Sequence, residues 1–66
     1  MKISKRRIAA LMGAELLTQG ALAELANVSR STINTALLKG SCSIYTVGKI
    51  AKALDVDPAE IIEMED

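Results

Sequence analysis

Sixty-six residues with no formal net charge predict one small domain, near the lower size at which a single core folds without disulfides or metal. Half of the residues are hydrophobic, yet Tyr45 is the sole aromatic, so the core has to be aliphatic and suits short, closely packed helices. No apolar run approaches the roughly 20 residues that span a bilayer, and Lys2 to Met12 lacks a signal-peptide pattern, which together predict a cytoplasmic protein.

In chain order, Ser4 is placed to cap a first helix that runs to about Ala14, with Ile8, Leu11 and Met12 on one face. Lys5, Arg6 and Arg7 lead it in. Three cations in a first turn oppose the helix dipole at about 0.3–1 kcal/mol each when exposed, so two readings stand: a phosphate backbone outside the helix, or a flexible basic N-terminus. A second helix is expected from about Gln19 to Ala26, capped by Thr18, with Leu22, Ala23 and Ala26 spaced for one buried face. Ala23 falls where a neighbouring helix comes closest, since a methyl permits an approach that a leucine blocks.

Asn27 occupies the turn that follows, because Asn after Gly best tolerates positive φ. Ser29 is a strong N-cap for a third helix from about Arg30 to Leu38, and Gly40 marks its stop. Val28, Ile33 and either Ala36 or Leu37 carry the buried surface onward. The fourth helix is expected from about Ile44 to Leu54, with Val47, Ile50, Ala51 and Leu54 inside. Gly48 within it costs about 1 kcal/mol against alanine, which a close helix crossing would offset. Asp57-Pro58-Ala59-Glu60 is the start signal of a fifth helix, with Ile61 and Ile62 folding back onto the core. No repeat, low-complexity tract or strand-period segment interrupts this series. The expected fold is all-α, a compact bundle of five short helices.

Thr18 to Thr35 thus reads as two short helices joined by a tight turn, the second studded with small polar side chains, which is the pattern of a helix-turn-helix. Through Leu17-Thr18-Gln19, Leu22-Ala23, Val28-Ser29 and Arg30-Ser31-Thr32-Ile33 the segment resembles the Cro and phage-repressor (Xre-type) helix-turn-helix family, of lambda-repressor-like fold. Val47 to Leu54 followed by Asp55-Val56-Asp57-Pro58 is similar to that family's fourth helix and closing turn. The resemblance covers roughly residues 5 to 62. Departures are Gly20 and Ala21 where acids are usual, Asn27 for the common turn glycine, and Leu37-Leu38 for the Glu that often precedes the loop. Two adjacent leucines cannot both point inward on a helix, so one should be partly exposed, as a dimer contact or as a plain surface leucine.

A helix-turn-helix lays its second helix in the major groove of double-stranded DNA and offers N-terminal side chains to base edges. Arg30, Ser31, Asn34 and Thr35 fall opposite Ile33 and are the base-reading candidates. Arg can pair with guanine and Asn with adenine, while the hydroxyls adapt and the Thr methyl suits thymine. Thr32, one step round the helix, is expected to meet phosphate. The resemblance implies that Gln19 contacts phosphate and braces the first reading residue, with Thr18 as its cap beside the helix N-terminus. It also implies that Lys39, Ser43 and Tyr45 grip backbone around the loop. Lys5 and Arg6 are further phosphate candidates, whereas Lys49 and Lys52 read as solvated.

Neutrality conceals a division of charge. All eight basic residues precede residue 53 and face only Glu15 and Glu24, whereas the other six acids lie from Asp55 to Asp66. That suits a basic face against phosphate with an acidic end pointing away. No histidine, no Gly-rich phosphate loop and no nucleophile beside a base is present, so an enzyme is not expected, and neither is a cofactor or small-molecule ligand. One cysteine without histidine makes a zinc site implausible, and Cys42 reads as a small loop filler more readily than as a redox sensor. The leading expectation is a repressor of phage or mobile-element type that binds a palindromic operator as a homodimer. The alternative is an antitoxin that engages a basic partner through the acidic segment.

Overall fold

The computed structural model describes residues 1–63 of the chain. Four helices follow in order: α1 (Lys5–Ala14), α2 (Gln19–Ala26), α3 (Arg30–Lys39) and α4 (Ile44–Ala53). One chemical device starts all four. The hydroxyls of Ser4, Thr18, Ser29 and Ser43 accept from the backbone amides of Arg7, Ala21, Thr32 and Thr46, three residues further on. Such a bond satisfies an amide that the helix cannot and is worth about 1 kcal/mol. The all-α class matches expectation, and the boundaries of α1 and α2 coincide with it. α3 runs one residue longer, and α4 ends one residue sooner, with Leu54 at its cap.

Helix endings share a second device. Leu17, Val28 and Val56 donate their amides to Met12, Ala23 and Ala51 at 2.8, 3.0 and 3.0 Å, closing the ends of α1, α2 and α4. The residue before each donor is left-handed: Leu16, Asn27 and Asp55 have φ of 55°, 56° and 58°. Each donor's side chain is partly buried against the core. This is the Schellman arrangement, in which a backbone closure and an apolar contact stop a helix together. α3 alone ends on glycine, Gly40, at φ 71°.

The core is aliphatic, as the composition demands. Ile8, Leu22, Ile33, Val47, Ile50 and Ile61 are sealed from solvent, and α2 lies between α3 and α4 with the small side chains of Ala23, Ala36 and Ala51 buried. Of the two candidates in α3, Ala36 is buried and Leu37 only partly so. α1 meets α2 at 93°. Among the described residues no single helix is long and apolar enough to cross a membrane.

Three expectations need correction. The fifth helix is a single 3-10 turn, Pro58–Glu60, although its capping box is present: Asp57 accepts from the chain and the Glu60 carboxylate accepts from the Asp57 amide at 3.3 Å. The turn stops because the chain beyond it pairs elsewhere. Ile62 bridges Ile3, and the Glu63 amide donates to the Lys2 carbonyl at 3.1 Å. The N-terminus is accordingly no flexible basic lead: residues 2–4 are extended and held on both flanks, since Lys2 also bridges Ser41 and the Ile3 amide donates to Gly40 at 3.0 Å, and Lys5, Arg6 and Arg7 form the first turn of α1. Ile3, which carried no sequence signal, is only 2 % exposed. Finally, Gly48 marks no close crossing: a Cβ built there meets nothing within 4 Å.

Candidate nucleic-acid interface

The two faces of α3 divide sharply. Ile33 and Ala36 are buried, and Arg30, Ser31, Asn34 and Thr35 are exposed on the other side. The division follows from the 3.6-residue period: with 33 and 36 turned inward, 31, 34 and 35 have to face out, and Arg30 lies at the flank in the first turn, where it is exposed. Ser29, which starts the helix, also bonds the Thr32 hydroxyl through its own at 2.7 Å. Thr32 is therefore half-buried at the edge of this face with its hydroxyl engaged.

Two shallow depressions run along the exposed side. One is lined by Gln19, Arg30, Ser31 and Asn34, so the first residue of α2 adjoins three of the four base-reading candidates. The other is lined by Ser31, Thr32, Thr35 and Lys39, with Ser41 and Cys42 from the loop beyond. Ser31 belongs to both, which makes the surface continuous from Gln19 to Lys39. No acidic residue lines either depression.

The remaining phosphate candidates distribute around this strip. Thr18 is exposed, and its hydroxyl is committed to the Ala21 amide at 3.0 Å. Ser43 caps α4, with Tyr45 close behind it, 69 % exposed. Lys5 crosses from α1 to the end of α3: its Cε would stand 3.8 Å from a Cβ placed on Gly40. Arg6 is exposed and lines neither depression. Arg7 turns the other way, its guanidinium donating to the Glu60 carbonyl at 3.4 Å, so that one of the three misplaced first-turn cations is answered within the fold.

Lys49 overturns its reading as a solvated side chain. Its ammonium donates to the Asn27 carbonyl at 3.2 Å and lies 4.7 Å from the centre of the Tyr45 ring. The Tyr-x-x-x-Lys spacing was the available signal for the second contact, since residues four apart on a helix meet. Nothing local announces the first. Cys42 is half-buried, and burial pushes its thiol up, partly offset by the N-terminal ammonium nearby. A thiol held neutral is a poor nucleophile and a poor redox sensor. Among the described residues no three His, Cys, Asp or Glu side chains gather to hold a metal ion.

Comparisons with known proteins bear on this geometry. Two solved structures, PhpD with cadmium and hydroethylphosphonate and native PhpD with cadmium, each superpose on all of the chain with a TM-score of 0.81 at 24 % identity. The chain spans 14 % of the length of those proteins, and at this identity the likeness is one of fold alone. No curated protein matches. The family model of the Cro/C1-type HTH DNA-binding domain matches residues 7–66, which takes in all of α2, α3 and α4 and nearly all of α1. The chain belongs to the Cro/C1-type helix-turn-helix DNA-binding domain family.

Proposed function

We propose that this chain is a sequence-specific transcriptional regulator, a repressor of phage or mobile-element type, which binds a palindromic operator as a homodimer with α3 in the major groove. The observation that carries the reading is the strip on which Gln19 adjoins Arg30, Ser31 and Asn34 without an acid among them. Arg30 and Asn34 present bidentate donors and acceptors to purine edges, and Ser31 and Thr35 supply short hydroxyls. Gln19 and Thr18 meet phosphate at one flank, with Lys5 beside Gln19. Thr32, Lys39, Ser43 and Tyr45 meet it at the other, and Arg6 adds charge. Residues 1–66 act as one DNA-binding domain in the cytoplasm. The function is binding, with no reaction, cofactor, small-molecule ligand or membrane involved.

The described part of the acidic segment serves the fold: Glu60 completes the capping box and Ile61 is sealed in the core. The antitoxin reading draws no support from it, and Met64 to Asp66 lie outside the described residues.

The test is selection of bound duplexes from a random pool at near-physiological salt, with an Arg30→Ala, Asn34→Ala double variant alongside. The expected result is a palindromic motif with half-sites about one helical turn apart, lost in the variant. Recovery of no motif, or binding shared equally by the variant, would refute base reading by α3.

A further inference from the structure

We infer that Lys49 is a positioning residue for DNA recognition, which acts from α4 by holding the α2–α3 turn and the Tyr45 ring in one unit and touches no DNA itself. The inference rests on the DNA-binding reading above. At the turn, the amides of Asn27 and Val28 are already spent on the carbonyls of Glu24 and Ala23, at 3.2 and 3.0 Å. The Asn27 carbonyl accepts from the Lys49 ammonium at 3.2 Å. The carbonyl end of a helix favours a cation, yet the last turn of α2 holds no basic residue. α4 supplies the missing charge.

That bond adds a second hold on the peptide between Asn27 and Val28, whose N–H donates to Ala23, one residue before Ser29 caps α3. α3 rises about 1.5 Å per residue from Arg30, so a rotation of about 10° at the turn would move Asn34 and Thr35, about 6 to 7.5 Å along it, by about 1 Å. A displacement of that size is enough to break a hydrogen bond to a base edge. The same ammonium lies 4.7 Å from the centre of the exposed Tyr45 ring, one turn earlier on α4, and so limits where that phenol can stand. One cation thus couples the angle of the reading helix to a residue on its phosphate-facing flank. A lysine free to bind phosphate would extend into solvent, whereas this one is half-buried and turned onto a carbonyl and a ring.

The experiment compares the full chain with Lys49→Met, which keeps the stem and removes the charge, and Lys49→Arg, which keeps both. Affinity is measured for the selected operator and for a random duplex of equal length over a salt series, and amide exchange is followed in the free protein. Lys49→Met is expected to bind operator about five- to tenfold more weakly, as fits loss of a partly exposed charged hydrogen bond and a cation–π contact. The random duplex is expected to change little, the dependence of log K on log salt to keep its slope, and the Asn27 and Val28 amides to exchange faster. Lys49→Arg is expected to restore all of these. A loss shared by both duplexes with a slope shallower by about 0.9 would make Lys49 a phosphate ligand and overturn the inference. Unchanged operator affinity or unchanged exchange in Lys49→Met would overturn it too. A parent chain with no operator preference would instead sink the DNA reading, visibly, before any substitution is compared.

Discussion

The Leu17 amide donates to the Met12 carbonyl at 2.8 Å, and that closure holds Leu16 in the left-handed region at φ 55° with its side chain 90 % exposed. A β-carbon in this conformation costs about 1–2 kcal/mol, and an exposed side chain returns nothing for it. Glycine would remove the strain, at the expense of about 0.5–1 kcal/mol of added freedom in the unfolded chain. Leu16→Gly is therefore expected to stabilise the fold by about 0.5–1 kcal/mol in urea denaturation and to leave DNA binding unchanged. A lower midpoint with the same slope would show that Leu16 is not strained.

What could be read from the chain beforehand follows the reach of each interaction. The caps Ser4, Thr18 and Ser29 bond three residues away, so their chemistry is written locally, and so is the turn at Asn27. Leu16 and Asp55 escaped because a Schellman closure needs only the backbone and an apolar residue after it, and side-chain preference for positive φ is then overruled. The polar face of α3 was legible as the complement of Ile33 and Ala36. The bond from Lys49 to Asn27 was not, because the two residues lie 22 apart and no periodicity relates them. The same applies at the ends of the chain. Asp57 and Glu60 announce a helix start correctly, but a bridge between Ile3 and Ile62 decides how short it is.

Gly48 gives a second route to stability. It stands inside α4, and an added methyl would meet nothing within 4 Å, so the helix carries glycine's penalty without a packing return. Gly48→Ala should stabilise by about 0.8–1 kcal/mol, which for a domain of this size raises the melting temperature by about 4–8 °C. A thermal melt decides it; no rise would mean that the glycine answers a need the folded chain alone does not display.

Ile3 tests the N-terminal segment. Its side chain is 2 % exposed among residues from both ends of the chain, and its flanking amides bond to Gly40 and Ile61. Truncation of a sealed isoleucine costs about 2–5 kcal/mol, which approaches the whole stability expected of so small a core, about 3–5 kcal/mol. Ile3→Ala is expected to leave the chain largely unfolded at 37 °C by far-ultraviolet circular dichroism. A midpoint close to that of the parent would show that the first residues add little and that the core begins at Ile8.

Leu38 bears on the proposed homodimer. Of the adjacent pair, Leu37 is partly buried and Leu38 is 80 % exposed, as expected for neighbours on one helix. Ile44, at the start of α4, is exposed as well. Scattered apolar residues are ordinary on a surface, whereas a large exposed one on a functional helix suits contact between copies. Covering a leucine is worth about 1.5–3 kcal/mol, so Leu38→Glu is expected to weaken self-association or cooperative operator binding roughly ten- to a hundredfold. Because the side chain adds nothing to the core, the melting temperature should hardly move. Analytical ultracentrifugation alone and on a two-half-site duplex separates the cases. Equal self-association and equal cooperativity in the variant would remove Leu38 from the dimer surface and leave it an exposed leucine with no partner.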